Sequence, residues 1–92
     1  MKEMKILAVC GMGFGSSLML KMTADRVLKN KGIKGDVEAT DIGTATSMKA
    51  DLILTNSEFA KQLEGGDAEV VAIMNVASED EVAKAIEGYL EK

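Results

Sequence analysis

Histidine, proline and tryptophan are absent from this 92-residue chain, cysteine occurs once and aromatic side chains only three times. Without histidine, and with a single cysteine, the usual ligands for zinc or copper are missing, so no metal site and no cofactor are expected. A lone cysteine also excludes an internal disulfide. Any histidine chemistry that a reaction needs must come from another protein or from the substrate. With so few aromatics the core has to be assembled from Val, Ile, Leu, Met and Ala, and without proline the turns are left to glycine.

Long apolar runs are missing too. No stretch approaches the roughly 20 residues of a spanning helix, and Met1, Lys2 and Glu3 lead into a strand-like segment in place of a signal peptide, which reads as a cytoplasmic protein that does not itself span the membrane. The formal net charge is −4, with eleven basic residues dispersed among fifteen acidic ones and no basic stripe, so a nucleic-acid partner is not expected. The length suits one small domain covering residues 1–92.

What is present alternates between two periods. Residues 5–9 are almost continuously apolar, which fits a central strand buried on both faces. Ser16 or Ser17 can cap a following helix with Leu20, Ala24, Val27 and Leu28 on its inner stripe and Gly32 at its end. Residues 36–40 alternate polar with apolar, as an edge strand does. A helical turn within 43–49 leads to a second buried strand at 51–55. Asn56 or Ser57 then caps a short helix through Leu63, stopped by Gly65 and Gly66, and residues 69–74 supply a fourth strand. Ser78 and Glu81 form a capping box before a last helix with Val82, Ala83, Ile86, Tyr89 and Leu90 on its apolar face.

This βαβαβαβα order implies an α/β fold, a small doubly wound domain with a four-stranded parallel sheet in the order 2-1-3-4 and helices on both faces. Such sheets bind ligands beyond the carboxyl ends of their strands, at the switch point. Cys10 stands there, followed by Gly11, Met12, Gly13, Phe14, Gly15, Ser16 and Ser17. Asp41, Thr55 and Asn56 end neighbouring strands, either lining the crevice or serving only as strand ends and caps.

The spacing of this loop decides among several chemistries. A P-loop needs Lys before its Ser or Thr, and Gly15 is followed directly by Ser16; a dinucleotide fingerprint needs its third glycine one position beyond Gly15. A cysteine phosphatase places an arginine where this chain has Ser16, and without it a phosphate dianion meets only neutral donors. A loop that holds a phosphoryl group received from an activated donor is still compatible. Backbone N–H groups of residues 11–17, the two serine hydroxyls and a helix N-terminus share the charge, and the same positive end favours the Cys10 thiolate. A carrier must also release its cargo, which gives the absent arginine a rationale.

The run Cys10-Gly11-Met12-Gly13-Phe14-Gly15-Ser16-Ser17, after an amino-terminal strand in a chain of this size, resembles the IIB components of the bacterial sugar phosphotransferase system. Its Cys-Gly-x-Gly-x-Gly-Ser-Ser form is most similar to the ascorbate-type branch. The resemblance implies a phosphotransferase whose cysteine, matched by Cys10, accepts phosphate from a phosphohistidine of the IIA component. That phosphate then passes to a sugar held by the IIC membrane transporter, with residues 11–17 matching the phosphate-binding loop. Two other classes stay open: a cysteine-dependent phosphatase or arsenate-reductase-like enzyme, and a regulatory domain that senses phosphorylation. Met12, Phe14, Met19 and Met22 either fill the core or form an apolar docking patch beside Cys10.

Overall fold

The computed structural model describes residues 4–9, 14–66 and 68–91; Cys10, Gly11, Met12 and Gly13 lie outside them. The described elements run β1 (Met4–Val9), α1 (Phe14–Lys31), β2 (Gly35–Thr40), α2 (Ile42–Ala45), β3 (Leu52–Thr55), α3 (Ser57–Leu63), β4 (Glu69–Ala72) and α4 (Glu79–Leu90). All strand pairings are parallel and the order across the sheet is β2-β1-β3-β4, as the alternation of strand and helix patterns implies.

β1 is central because its side chains are apolar on both faces. Ile6 and Ala8 join Leu52 and Leu54 in a core under α1 and α4, which contribute Leu20, Ala24, Val27, Leu28, Val82 and Ile86. On the opposite face Leu7, Val9 and Ile53 pack with Ala45 and Leu63 from the α2 and α3 side. Each fully buried Leu, Ile or Val contributes about 1.5–3 kcal/mol relative to exposure, so these side chains carry most of the folding energy. At the amino edge Asp51 locks the register. Its carboxylate accepts the Lys5 N–H at 2.8 Å, and its own N–H donates to the Lys5 carbonyl at 2.9 Å.

β2 is the alternating edge strand. Val37 and Thr40 are buried, whereas Asp36 and Glu38 stay exposed and meet the Lys5 ammonium at 2.9 and 3.1 Å. The hydrogen bond to Asp36, then that to Glu38, raises the Lys5 pKa above its ordinary value. The contribution is present at neutral pH and lost only as pH rises through that elevated value; as an exposed pair it is worth at most about 1 kcal/mol.

Three boundaries differ from the sequence pattern. α1 starts at Phe14, ahead of the serines expected to cap it. The first N–H groups of a helix need no intrahelical partner, so Gly15 and Ser16 are tolerated in that turn, and burial of Ser17 and Leu20 draws the helix onto the sheet. β4 ends at Ala72, and Met74 is 87% exposed. The chain turns out there because the carboxylate of Glu81 accepts the N–H groups of both Met74 and Asn75. Glu81 is thereby taken from the reciprocal half of a capping box, although Ser78 Oγ still accepts the Glu81 N–H at 3.2 Å. On α4, Ala85 is buried while Leu90 is half exposed.

Gly32 adopts φ +68° where α1 ends, a left-handed turn that favours glycine. Gly35 is required for a different reason: a Cβ there would stand 2.9 Å from Leu28 Cδ1 and 3.1 Å from the Met4 carbonyl oxygen. Gly35→Ala is therefore expected to push α1 from the start of the β1–β2 ladder and cost about 1–3 kcal/mol, measured as a lower urea midpoint with an unchanged slope.

Candidate functional site

The carboxyl edge of the sheet is drawn by one register row. Thr40 of β2, Val9 of β1, Thr55 of β3 and Ala72 of β4 pair in sequence across the four strands. Val9 is completely buried, and the threonines on either side of it are 7% and 1% exposed. Cys10 is the next residue of the chain. Val9 thus ends the central strand between β2 and β3, at the switch point where successive connections leave to opposite faces.

α1 begins four residues after Cys10, and no acidic side chain occupies its first turn. Its first four residues are Phe14, Gly15, Ser16 and Ser17, whose N–H groups are those a helix leaves without intrahelical acceptors. The aligned peptide dipoles add about half a positive charge at that end. Residues 14–17, expected as loop, are therefore the opening turn of a helix. The chemistry expected of them changes little, because helical N–H groups converge on an anion at least as well as those of a loop. Ser17 is buried at 1% exposure, and the side chains of Phe14, Gly15 and Ser16 lie outside the description.

Asp41 and Asn56 are helix caps. Asp41 Oδ1 accepts the Thr44 N–H at 2.6 Å at the start of α2, and Asn56 Oδ1 accepts the Phe59 N–H at 2.8 Å at the start of α3. Of the two readings open to them, capping accounts for both. Thr55 is different. Its hydroxyl is buried and has no hydrogen-bond partner among the described residues, while its carbonyl accepts the Ile73 N–H at 2.7 Å. Leaving a hydroxyl unsatisfied in the interior costs about 1–3 kcal/mol, in a strand whose other members are Leu52, Ile53 and Leu54. Thr40, on the other side of Val9, was not singled out from the sequence; only alignment of the strand ends reveals it.

The outer face of α1 beside this edge is apolar. Leu18, Met19 and Met22 are each about half exposed, and with Thr23, Arg26 and Ala77 they line a shallow groove of about 380 Å³. The segment after β4 forms its other wall because Thr23 Oγ1 donates to the Val76 carbonyl at 2.7 Å. Met19 and Met22 are thus surface residues and not core filling; Met12 and the Phe14 side chain lie outside the description. A larger cavity, about 870 Å³, opens at the opposite, amino-terminal edge between Lys5, Met48, Asp51 and Gly65, remote from Val9. No described helix is long and apolar enough to cross a membrane.

Comparison with known proteins places this arrangement. The family described as "PTS system, Lactose/Cellobiose specific IIB subunit" matches residues 5–88. A protein named ascorbate-specific PTS system EIIB component from Mycoplasma pneumoniae is 28% identical over 92 residues, covering 97% of each chain. Proteins of the same name from Salmonella typhimurium and Escherichia coli O157:H7 are 35% identical over 77 residues, covering 80% of this chain and 76% of theirs. The lactose-specific IIB domain of Streptococcus pneumoniae superposes with a TM-score of 0.66 at 20% identity, over 98% of this chain and 97% of that one, a likeness of fold.

The Asp41 cap has a pH signature. Hydrogen bonding from the Thr44 backbone N–H, then from its side chain, holds the carboxyl below its ordinary value. A depressed carboxylate stabilises the fold above the pKa of the unfolded chain, and that stabilisation is lost as pH falls through the lowered value. Asp41→Asn keeps a good cap without the charge. The difference in melting temperature between wild type and this variant is expected to shift in favour of the variant on acidification, as followed by circular dichroism.

Proposed function

Because the chain belongs to the IIB family of the sugar phosphotransferase system and is a phosphotransferase component, we propose that Cys10 is its phosphoryl-carrying residue. The observation that carries this reading is the placement of the strand end: Val9 closes the central strand at the switch point, and an uncompensated helix N-terminus opens at Phe14. In the sequence the single thiol of the chain falls between them.

In this reaction the Cys10 thiolate attacks the phosphorus of a phosphohistidine on the IIA component. The P–N bond breaks as the S–P bond forms, and the imidazole leaves on the donor. A hydroxyl oxygen of the sugar held by the IIC transporter then attacks the same phosphorus, the S–P bond breaks, and thiolate is regenerated while the hydroxyl proton passes to a base on the partner or to water. This chain contributes the nucleophile and the charge-stabilising N–H groups of residues 11–17, with Ser16 and Ser17 adding hydroxyl donors. It has no histidine to serve as donor or as base, so both belong to its partners.

The work is cytoplasmic, at the inner mouth of the transporter, carried out by a single domain spanning residues 1–92. The names of the relatives favour an ascorbate-like sugar, and the family description, which names lactose and cellobiose, is the broader one. The apolar surface of Leu18, Met19 and Met22 suits docking to both partners in turn, since methionine adapts to unlike surfaces.

Intact-mass measurement after incubation with the phosphorylated general carrier and candidate IIA proteins tests the reading. Wild type is expected to gain one phosphoryl group and Cys10→Ser none. Absence of the adduct with every donor overturns the carrier role, and turnover of a simple aryl phosphate by the isolated chain would assign it to the phosphatases instead.

A further inference from the structure

Charge is unevenly shared among the elements of this fold. The whole chain holds eleven basic and fifteen acidic side chains, whereas α1 carries four basic residues, Lys21, Arg26, Lys29 and Lys31, against one acidic residue, Asp25. Two of those cations are spent within the molecule: Lys21 meets the Asp25 carboxylate at 2.7 Å, and Lys31 pairs with Glu87 of α4. Arg26 and Lys29 are exposed, and neither has an ion pair or a side-chain hydrogen bond among the described residues. Glu79, at the start of α4, accepts instead from Asn30 at 3.5 Å.

Positions 18, 22, 26 and 29 recur at helical spacing, so they share one face of α1 with position 19 beside them. That face is graded. Leu18, Met19 and Met22 are half exposed at the end nearer the carboxyl edge of the sheet, and Arg26 and Lys29 follow, the last about 16 Å from Leu18 along the helix axis. Arg26 is also the one charged residue lining the groove that Ala77 completes. The far wall of this groove is already fixed: Glu81 gathers the Met74 and Asn75 amides, Asn75 Oδ1 accepts the Ala77 N–H at 3.0 Å, and the Val76 carbonyl accepts the Thr23 hydroxyl at 2.7 Å. A groove with fixed walls loses little further freedom when it is filled.

Three apolar side chains beside two cations make a poor track for nucleic-acid phosphates, and a chain of net charge −4 is repelled by an anionic lipid surface over most of its own. The same net charge repels an acidic protein everywhere except at this patch, so the two cations fix the direction of approach as well as the contact. Resting on the carrier reading for the identity of the partner, we infer that this face is the docking site of a partner protein that is apolar opposite Leu18, Met19 and Met22 and carries carboxylates opposite Arg26 and Lys29. The partner is the phosphoryl donor.

Steady-state transfer from a phosphorylated IIA protein that charges wild type tests this. Replacing both Arg26→Glu and Lys29→Glu is expected to raise the KM for the donor about tenfold at low ionic strength with kcat unchanged, the difference shrinking as salt rises to about 0.5 M. Arg26→Lys, which keeps the charge, is expected to hold most of the wild-type affinity, and Met22→Ala to raise the KM severalfold at every salt concentration because its contact is not ionic. A doubly substituted protein with native circular dichroism and an unchanged donor KM overturns the inference. So does a loss of affinity that salt does not narrow. If no donor charges wild type, the carrier reading fails, and an NMR titration with two synthetic helical peptides then decides the face, both with the same leucines, one bearing Glu and the other Lys. Perturbation of residues 18–29 by the Glu peptide alone, lost in the doubly substituted protein, supports the docking chemistry; an equal response or none overturns it. Binding of wild type to phosphatidylglycerol vesicles, lost in the doubly substituted protein, overturns it in favour of a lipid surface.

Discussion

The parallel pairing of β1 between β2 and β3 is the constraint from which the rest of this molecule follows. It buries both faces of Ile6, Leu7, Ala8 and Val9, which forces helices onto both sides of the sheet, and it fixes where the central strand stops. A slip of one residue would exchange the side chains of the two cores and move Cys10 relative to both neighbouring strands. The Asp51 side chain, bonded to the Lys5 backbone, helps to set that register at the amino edge.

From this pairing the chemistry of the site takes its shape. The sheet supplies a rigid wall, and the central strand ends in it at Val9, one residue before the single thiol in the sequence. A helix N-terminus stands four residues further along, with no carboxylate of its own to spend its field. Neutral donors are sufficient for an acceptor of activated phosphate and insufficient for a hydrolase that must capture a free dianion. The absence of arginine at Ser16 and the absence of histidine throughout belong to the same proposal, in which this chain provides the nucleophile and its partners the donor, the base and the sugar pocket. The methionines of α1, Met19 and Met22, stay half exposed beside Thr23 and Ala77.

Much of this was legible in the chain itself. The continuous apolar run before Cys10 and the alternating run before Thr40 identify a central and an edge strand, because burial on two faces and on one face leave different periods. Gly32 marks the end of α1 through its left-handed backbone, and Asn56 marks the start of α3 through a side-chain acceptor; both are local effects with local signatures. The end of β4 was not legible. Val71, Ala72 and Ile73 read as uninterrupted strand, and only the Glu81 carboxylate, gathering the Met74 and Asn75 amides, turns the chain outward.

The sequence by itself determined the strand-helix alternation, the sheet order and the position of the only thiol at a glycine-rich strand end, because each rests on patterns within about a dozen neighbouring residues. Only the structure decided that residues 14–17 open a helix, that of the readings open to Asp41 the cap is the one taken, and that Thr40 and Thr55 flank Val9 in one row. The last of those facts depends on which distant segments are hydrogen-bonded side by side. Thr40 and Thr55 are fifteen residues apart in the chain, and only their shared pairing with Val9 brings them into one row at the end of the central strand.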